Sequence, residues 1–235
     1  MTEDRRGLLD RLLAEGRHAG VGVERICAAC APVLDVSGAA VTVVSVLGGR
    51  QLRGLVHAGD ATGRALEELQ LTVGEGPCHD AYAGGRVLIA DLAAACGRWP
   101  AFGPGAAGLG VAAVFSFPLQ AGAARLGSLD LYRNRPGALT RQQTADALLL
   151  AELATRAVTD RLDGHAGTDL TWVADVHVEV HQAVGMVSIQ LGTTADAALL
   201  RLRGQAFIRG ETVTVVARQV VARTLRFTRD GEAVG

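Results

Sequence analysis

The sequence predicts an α+β domain, an antiparallel sheet flanked by helices, followed by an all-α domain of three helices. Two observations lead to this fold class. Up to residue 163, β-rich runs and helical patterns follow one another without the strand–helix–strand repetition that produces a parallel sheet. From residue 172 onward, apolar residues recur only at helical spacing. We therefore divide the chain into a first domain at 1–163, a linker or hinge at 164–171 and a second domain at 172–235.

The first half of the first domain is predicted to contain two helices, a hairpin and a third helix. We expect these elements at 5–17, 21–34, 39–47 paired with 51–57, and 62–70. The hairpin is predicted because two runs rich in Val and Thr are joined by Gly48-Gly49. In the third helix, Glu67 and Glu68 are expected to face water. Leu66 and Leu69 are expected to face the core.

The second half is predicted to contain a short helix, three strands and a long helix. Their ranges are 78–83, 86–90, 111–119 paired with 124–132, and 140–162. The segment 95–110 contains five glycines and is expected to form a mobile lid. In the long helix, Leu149, Leu153 and Ala157, with Val158 and Leu162, continue an apolar edge. This edge would either pack on the sheet or form a dimer surface of short coiled-coil character.

The second domain is predicted from three apolar blocks, one for each helix. The blocks lie at 176–191, 195–206 and 213–224. Thr193 or Thr194 is the expected N-cap of the second helix, and Gly210 is its expected end. If the last helix continues to Arg229, its arginines share one side and form a basic stripe, which is also typical of a solvated helix face.

Charge and composition restrict the classes of function. The formal net charge of −1 argues against a general nucleic-acid binder, so any such role must be local. All 23 basic residues are arginine, and the lack of lysine excludes Schiff-base chemistry and the phosphate-binding Gly-Lys motif. Cys27 and Cys30 have zinc or redox spacing, but two further ligands are missing at a suitable spacing, so we expect no metal. Without a recognisable export signal or membrane span, we expect a soluble cytoplasmic protein.

Three blocks in the second domain carry a family resemblance. They are HQAVGM at 181–186, AALLRLR at 197–203 and VARQVV at 216–221. In this order they resemble the ANTAR domain, an RNA-binding antitermination module. The resemblance implies binding of structured RNA, the hairpins of a transcript leader, through backbone approach at small residues and phosphate contact or base stacking by arginines. The implied contact residues are Gln182, Ala183, Gly185, Arg201, Arg203 and Arg218.

The first domain carries a second resemblance. Its motifs are LTVGEGPCHDAY at 71–82, VLIADL at 87–92, WP at 99–100, SFPL at 116–119 and LGSLDLY at 126–132. They resemble the GAF domain, a fold that senses small ligands. Together the two domains resemble the GAF–ANTAR regulators of actinobacteria. This resemblance implies a signal-responsive antitermination regulator, dimeric and not an enzyme, which senses a small ligand or a redox state.

The GAF resemblance implies a ligand pocket on one face of the sheet, under residues 71–85 and the lid at 95–110. Candidate lining residues are Cys78, His79, Asp91, Trp99, Phe102 and Phe115. Each has a structural alternative: Cys78 is also typical of a small packing residue, Asp91 of a turn cap and Trp99 of a core residue. The sequence identifies no cofactor.

Two other functions remain open. The ANTAR family commonly carries a lysine where this chain has Val184, and the first helix has no lysine or arginine. A protein-interaction or dimerisation module without RNA binding would fit this feature. The second alternative is a thiol-based enzyme or redox sensor, similar to the GAF-related reductases of free methionine sulfoxide. Its indication is Cys78 together with Cys96.

Overall fold

The computed structural model describes residues 2–18, 20–47, 50–95, 97–164, 177–228 and 233–234. The predicted turn at Gly48-Gly49, Cys96, the linker beyond Gly164 and residues 172–176 lie outside this part of the chain. The helices are α1 (Thr2–His18), α2 (Val23–Leu34), α3 (Ala61–Val73), α4 (Pro77–Gly84), α5 (Phe102–Gly108), α6 (Arg141–Gly164), α7 (Val178–Leu191), α8 (Ala195–Arg209) and α9 (Val213–Val221). The strands are β1 (Gly38–Leu47), β2 (Arg50–Ala58), β3 (Val87–Ile89), β4 (Ala113–Ala121), β5 (Ala124–Arg133), β6 (Arg226–Phe227) and β7 (Ala233–Val234).

Strands β1 to β5 form one antiparallel sheet in the order β2-β1-β5-β4-β3. The two predicted hairpins, β1–β2 and β4–β5, are joined by pairing of β1 with β5, which places Ala40 opposite Asp130. Helices α2 and α6 cover one side of the sheet, and α1 packs against these two helices. Helices α3, α4 and α5 cover the other side. The first part of the chain therefore has the predicted α+β fold.

The two sides of the sheet differ in polarity because side chains alternate along each strand. Phe117 on β4 and Leu129 on β5 enter the large core with α2 and α6. Ser116, Ser128 and Asp130 come between such residues and are buried on the opposite side, under α3 and α4. The sheet thus presents an apolar face to one layer of helices and a polar row to the other.

The apolar edge of α6 is largely used inside the protein. Leu153 and Val158 are buried in the core with α2. Leu148 and Leu149 remain 44% and 37% exposed. Leu153 and Val158 therefore pack inside the protein. Leu149 is the residue of the predicted edge that is exposed enough to contribute to a dimer surface.

The glycine-rich segment at 95–110 is not simply a lid. It contains α5, in which Phe102 and Ala106 are buried and pack with Trp99. The Glu75 Oε1 accepts hydrogen bonds from the backbone nitrogens of Ala101 at 2.7 Å and Phe102 at 3.0 Å, which fixes the start of the helix. Glycine and proline have low helix propensity, so packing and this cap stabilise a helix that local sequence does not indicate.

Residues 177–228 form a separate cluster, here called the C-terminal unit. Its core lies between α7, α8 and α9, with Val187, Leu202 and Val216 among its fully buried residues. Thr194 is the N-cap of α8, where its hydroxyl accepts from the backbone nitrogen of Ala197, and Gly210 ends the helix in the left-handed conformation, as predicted.

The end of the C-terminal unit differs from the prediction. Helix α9 ends at Val221, Arg223 takes a positive φ of 61°, and β6 pairs with β7, so the region is not purely helical. The predicted basic stripe reaching Arg229 therefore does not form on one helix. The chain turns because Leu225 and Phe227 are buried against the three helices, and a continued helix would carry them away.

Within the described residues, no single helix is long and apolar enough to cross a membrane. Helices α7 and α8 meet the length and composition requirement only as a pair, with a bend of 106° between them.

Candidate functional site

Asp130 lies at the centre of a polar cluster between the sheet and α3. It accepts hydrogen bonds from the Ser128 hydroxyl at 2.6 Å, from the Thr42 hydroxyl at 3.4 Å and, on its other oxygen, from Ser116. Burial raises the pKa of Asp130 to about 6, although the three hydroxyl donors act in the opposite direction. The carboxyl group is thus held in place, and its pKa is closer to neutral pH than that of an exposed aspartate.

Glu67 is buried beside this cluster, which corrects the prediction that it faces water. Gly63, Leu66, Glu67 and Gln70 share the side of α3 that faces the sheet. The Gln70 amide donates to Glu67 Oε1 at 3.0 Å and accepts from the Cys78 backbone nitrogen at 2.8 Å. Burial, together with the charge of Asp130, raises the pKa of Glu67 well above its usual range.

Arg53 on β2 is the cation nearest to these two acids. Its charge lowers the pKa of both Glu67 and Asp130, against the effect of burial. The guanidinium carbon lies 5.4 Å from the centre of the Tyr82 ring, and Nη1 donates to the Cys78 sulfur at 3.6 Å. Arg53 therefore joins the sheet to α4 at the edge of the polar cluster.

Two small cavities and an open groove surround the cluster. An inner cavity of about 20 Å³ is lined by Thr42, Arg53, Gly54, Leu55, Glu67, Gln70, Leu71, Cys78, His79 and His177. A second cavity of about 10 Å³ shares Glu67 and Gln70 and reaches Asp130. Each is about the size of one water molecule. A groove of about 700 Å³ opens to solvent and shares Arg53 and His79 with the inner cavity. These two residues therefore separate the outside from the interior.

Comparison with known protein families identifies this first part of the chain. The model of the GAF domain matches residues 23–159. The chain belongs to the GAF domain family. The match includes the sheet, α3, α4 and the polar cluster, and it ends before the C-terminal unit.

The chain is also similar to solved structures. The GAF domain of an Acinetobacter phosphoenolpyruvate-protein phosphotransferase is similar over 70% of this chain and 99% of that chain, with 13% identity and a TM-score of 0.51. The phycocyanobilin-bound GAF domain of a cyanobacterial phytochrome covers 69% and 98%, with 12% identity and a TM-score of 0.44. Free methionine-R-sulfoxide reductase from Neisseria meningitidis, in complex with its substrate, covers 68% and 91%, with 19% identity and a TM-score of 0.42. No curated protein matches the chain.

Four of the six predicted pocket residues border the spaces in the GAF domain. Cys78 and His79 line the inner cavity. Phe102 and Phe115 border the second cavity, although Phe115 also packs in the core with α2 and α6. Arg53, Glu67 and Asp130 were not predicted as site residues. Asp130 falls within a quoted motif, but its burial follows only from the register of β5 with β1.

The other two predicted residues have structural roles. Trp99 is buried, and its indole nitrogen donates to Asp80 Oδ2 at 3.2 Å. Its ring meets Phe102 edge to face at a centroid distance of 5.7 Å. Asp91 accepts from the backbone nitrogens of Ala93 at 3.0 Å and Ala94 at 3.4 Å, which is the turn cap given above as its alternative.

The three thiols of the described residues, Cys27, Cys30 and Cys78, are buried. Burial raises the pKa of Cys78 well above its usual value, with the charge of Glu67 adding to the effect. The pKa of Cys27 is raised to about 12, again chiefly by burial, and Cys30 is fully buried. A thiolate is the nucleophilic form of cysteine, so these positions do not favour thiol catalysis. Cys96, the proposed partner of Cys78, lies outside the described residues.

The C-terminal unit is docked on the GAF domain through α3. Arg203 on α8 donates from Nε to the Leu71 carbonyl at 2.9 Å, at the C-terminal end of α3, where cations are favoured. In return, Thr72 accepts from the Val213 backbone nitrogen at 3.0 Å and Glu68 from that of Thr214 at 3.4 Å. Because the first nitrogens of a helix have no partner within it, α3 caps the start of α9.

Close packing accompanies these hydrogen bonds. Leu71 is buried in the core of the C-terminal unit. Gly74 ends α3 with a φ of 76°, and a β-carbon at this position would lie 2.6 Å from Arg203 Nη1. A side chain there would displace the guanidinium. We call this set of contacts, from Glu68, Leu71, Thr72 and Gly74 to Arg203 and the start of α9, the clasp.

His177, at the start of the C-terminal unit, reaches the interior of the GAF domain. It borders the inner cavity and is 7% exposed. Its Nδ1 is buried without a hydrogen-bond partner and lies 4.0 Å from Glu68 Oε2. Burial lowers the pKa of His177, opposed by the charge of Glu68. His177 therefore belongs to the C-terminal unit and also lines the inner cavity of the GAF domain.

The residues implied in RNA contact occupy different environments. Gln182 and Arg201 are exposed, and Gly185 has open space on its side-chain side. Arg218 is mostly exposed and pairs with Glu179 at 3.2 Å. Ala183 is fully buried in the core of the C-terminal unit. Arg203, by contrast, is half-buried in the clasp, and burial lowers its pKa.

Proposed function

We propose that this protein is a ligand-responsive regulator in which the GAF domain binds a small molecule and the C-terminal unit binds structured RNA to prevent premature termination. One observation carries the proposal. Helix α3 closes the interior cavities with Glu67 and Gln70 on one side and holds the C-terminal unit with Leu71 and Thr72 on the other. A ligand that moves α3 therefore acts on both parts.

The size of the interior explains how the signal would pass. Cavities of about 20 and 10 Å³ hold no more than a water molecule each. A larger ligand enters only if α3 or its side chains shift away from the sheet. Because the clasp needs α3 at its present distance from α8 and α9, such a shift favours the undocked arrangement. The ligand thus shifts a population between two states that it binds with different affinity.

The arginines of the C-terminal unit support the RNA part of the proposal, together with the ANTAR resemblance. Arg201 is exposed in the docked arrangement and is ready for phosphate contact. Arg203 becomes available only when the clasp opens, because its Nε now bonds the Leu71 carbonyl. Undocking therefore adds a cation to the RNA-binding surface. We propose that the docked arrangement is the form with lower RNA affinity.

The test is RNA binding by the full chain to a panel of two-hairpin leader RNAs at two salt concentrations. We expect salt-sensitive binding that depends on the loop sequence. Arg201→Ala should weaken it by about tenfold, since one charged contact contributes about 1.5–3 kcal/mol. Arg135→Ala, which removes an exposed arginine paired with Asp35 on the GAF domain, is the matched control and should bind as the wild type does. Equal binding by all three proteins, or none by any, would refute the RNA proposal.

An exposed apolar surface favours a second candidate, a protein-interaction module. Ile189, Leu200, Phe207 and Ile208 on the C-terminal unit are 84%, 69%, 82% and 79% exposed. The four side chains belong to the consecutive helices α7 and α8, and a partner that covers them would bury a large apolar area. Val184, the residue that first suggested this alternative, is buried in the unit's own core and is not available to a partner. Absence of RNA binding by the folded chain, together with self-association that Phe207→Ser abolishes, would favour this candidate.

A further inference from the structure

We propose that the groove of the GAF domain binds the anionic group of its small ligand, a carboxylate or a phosphate, at Arg53. The inference names the chemical class of the signal and in that respect rests on the proposed function. The groove of about 700 Å³ is lined by Arg53, His79, Asp80, Tyr82, Ala83, Ala123 and Arg125. Of these residues, Arg53 and His79 also line the inner cavity, and the other five do not.

Arg53 has donor capacity that the protein does not use. A guanidinium carries five N–H donors. Among the described residues, its hydrogen bonding is limited to the Cys78 sulfur at 3.6 Å, which is a weak acceptor. Among the described residues, no carboxylate oxygen lies within 4.0 Å of an Arg53 nitrogen, so Arg53 forms no ion pair there. Glu67 is nevertheless near enough for the charge of Arg53 to lower its pKa. The planar guanidinium of Arg53, with most of its donors unused, can donate two parallel hydrogen bonds to the two oxygens of a carboxylate or a phosphate.

The remaining charges of the groove favour an anion. Arg125 adds a second cation, which donates from Nη1 to the Tyr82 carbonyl at 2.7 Å and to that of Ala83 at the end of α4. Asp80, the acid that lines the groove, is already bonded by Arg98 at 2.9 Å and by Trp99 at 3.2 Å. The pKa of His79 is lowered to about 4 by burial and by the charges of Arg53 and Arg203, so this side chain is neutral at pH 7.

The buried acids do not reverse this preference. Glu67 lines the interior cavities behind Arg53, and Asp130 reaches only the second of them, so a ligand approaching from the groove meets the guanidinium first. Both carboxyl groups accept hydrogen bonds from protein side chains, Glu67 from Gln70 and Asp130 from three hydroxyls. The part of the ligand that follows the anionic group inward would meet amide and carboxyl groups and therefore carry hydrogen-bonding groups of its own.

The test is calorimetric titration of the full chain, at constant ionic strength, with inorganic phosphate, with succinate and with ethylammonium chloride. We expect saturable binding of phosphate or succinate and none of ethylammonium. Arg53→Gln should weaken the anion by about tenfold or more, since a charge-assisted hydrogen bond contributes about 1.5–3 kcal/mol. Binding of phosphate alone identifies a phosphate group as the ligand's anion, and binding of succinate alone identifies a carboxylate.

Two further variants keep the test decisive. Arg53→Lys retains the charge beside Glu67 but loses the planar fork, so it should fold and still bind the anion more weakly than wild type. Arg135→Gln, far from the groove, should bind as wild type does. Anion affinity unchanged in both Arg53 variants, absence of saturable anion binding, or preferred binding of ethylammonium would overturn the proposal. Since no RNA enters the titration, these outcomes are independent of whether the C-terminal unit binds RNA.

Discussion

Asp130 and Glu67 bring two acids into the interior of a small domain with one arginine nearby. Burying a charge is costly unless it is paired, so each acid lowers its cost by staying protonated or by accepting hydrogen bonds. On this face of the sheet the buried side chains include a polar row where apolar residues would be expected, namely Ser116, Ser128 and Asp130. Buried groups with perturbed pKa values that border a cavity are typical of functional sites. The arrangement therefore fits a ligand site better than a purely structural core.

Asp130 is expected to make the stability of the protein depend on pH. Its pKa is raised from 3.8 to about 6, so the native state holds the proton more tightly than the unfolded state does. This contribution is complete below pH 3.8 and is lost as the pH rises through about 6, by at most about 3 kcal/mol at 1.4 kcal/mol per pKa unit. Urea unfolding of Asp130→Asn between pH 4 and pH 7 should show less of this decline than wild type.

Asp91→Asn is the control for this experiment, because Asp91 is an exposed turn cap outside the cavities. It should keep the decline of the wild type. An Asp130→Asn variant with the same dependence on pH as the wild type would mean that Asp130 is not the group responsible.

Single residues also show where sequence reasoning failed. Glu67 follows Leu66, and its charge made it look like a surface residue. Its burial depends on the rotation of α3, which places Gly63 and Gln70 on the same inward side. Local pattern cannot predict this, because the site itself places polar residues where a core would be apolar. Cys78 and His79 were predicted because the GAF resemblance places the cover of the pocket at residues 71–85.

At the scale of elements, helix ends in the C-terminal unit follow simple capping rules. The sequence left Thr193 and Thr194 as alternative caps of α8, and the structure selects Thr194. Thr194→Ala should lower the free energy of unfolding by about 1 kcal/mol, because the Ala197 nitrogen loses its acceptor. Thr193→Ala should change it much less. Thermal or urea unfolding of the two variants measures the difference, and a loss for Thr194→Ala no larger than that for Thr193→Ala would contradict the prediction.

The clasp makes a second prediction at this scale. Thr72→Val keeps the shape of the side chain and removes the acceptor of the Val213 nitrogen. We expect faster hydrogen exchange at Val213 and Thr214, with α7 and the GAF sheet unchanged, because only the start of α9 loses a partner. Thr144→Val, a half-buried helical position on α6 outside the clasp, is the control. Unchanged exchange at Val213 would show that α3 does not hold α9.

The elements that sequence analysis predicted are those with strong local signals. The β4–β5 hairpin, α6 and the helices α7 and α8 show clear periodicity or caps. Helix α5 was missed because its glycines and proline oppose a helix, and only Glu75 and the buried Phe102 stabilise it. The early end of α9 was missed because the burial of Leu225 and Phe227 is a tertiary effect.

At the scale of the whole molecule, α3 connects the groove, the cavities and the C-terminal unit. The ligand would bind at Arg53, displace α3 and loosen Arg203 from the Leu71 carbonyl. The order of the two parts and the resemblance of the second to an RNA-binding module came from the sequence. Their docking did not, because Arg203 looks like any other surface arginine until α3 is placed beside it.

The central claim is that docking on α3 withholds part of the RNA-binding surface. The most direct test compares the salt dependence of RNA affinity for the wild type and Gly74→Ala, whose added β-carbon would displace the Arg203 guanidinium. Opening the clasp frees Arg203, so we expect tighter binding and a slope of log K against log salt steeper by about 0.7–0.9, the value for one additional phosphate contact. Equal affinities and equal slopes would contradict the claim that the clasp controls RNA binding.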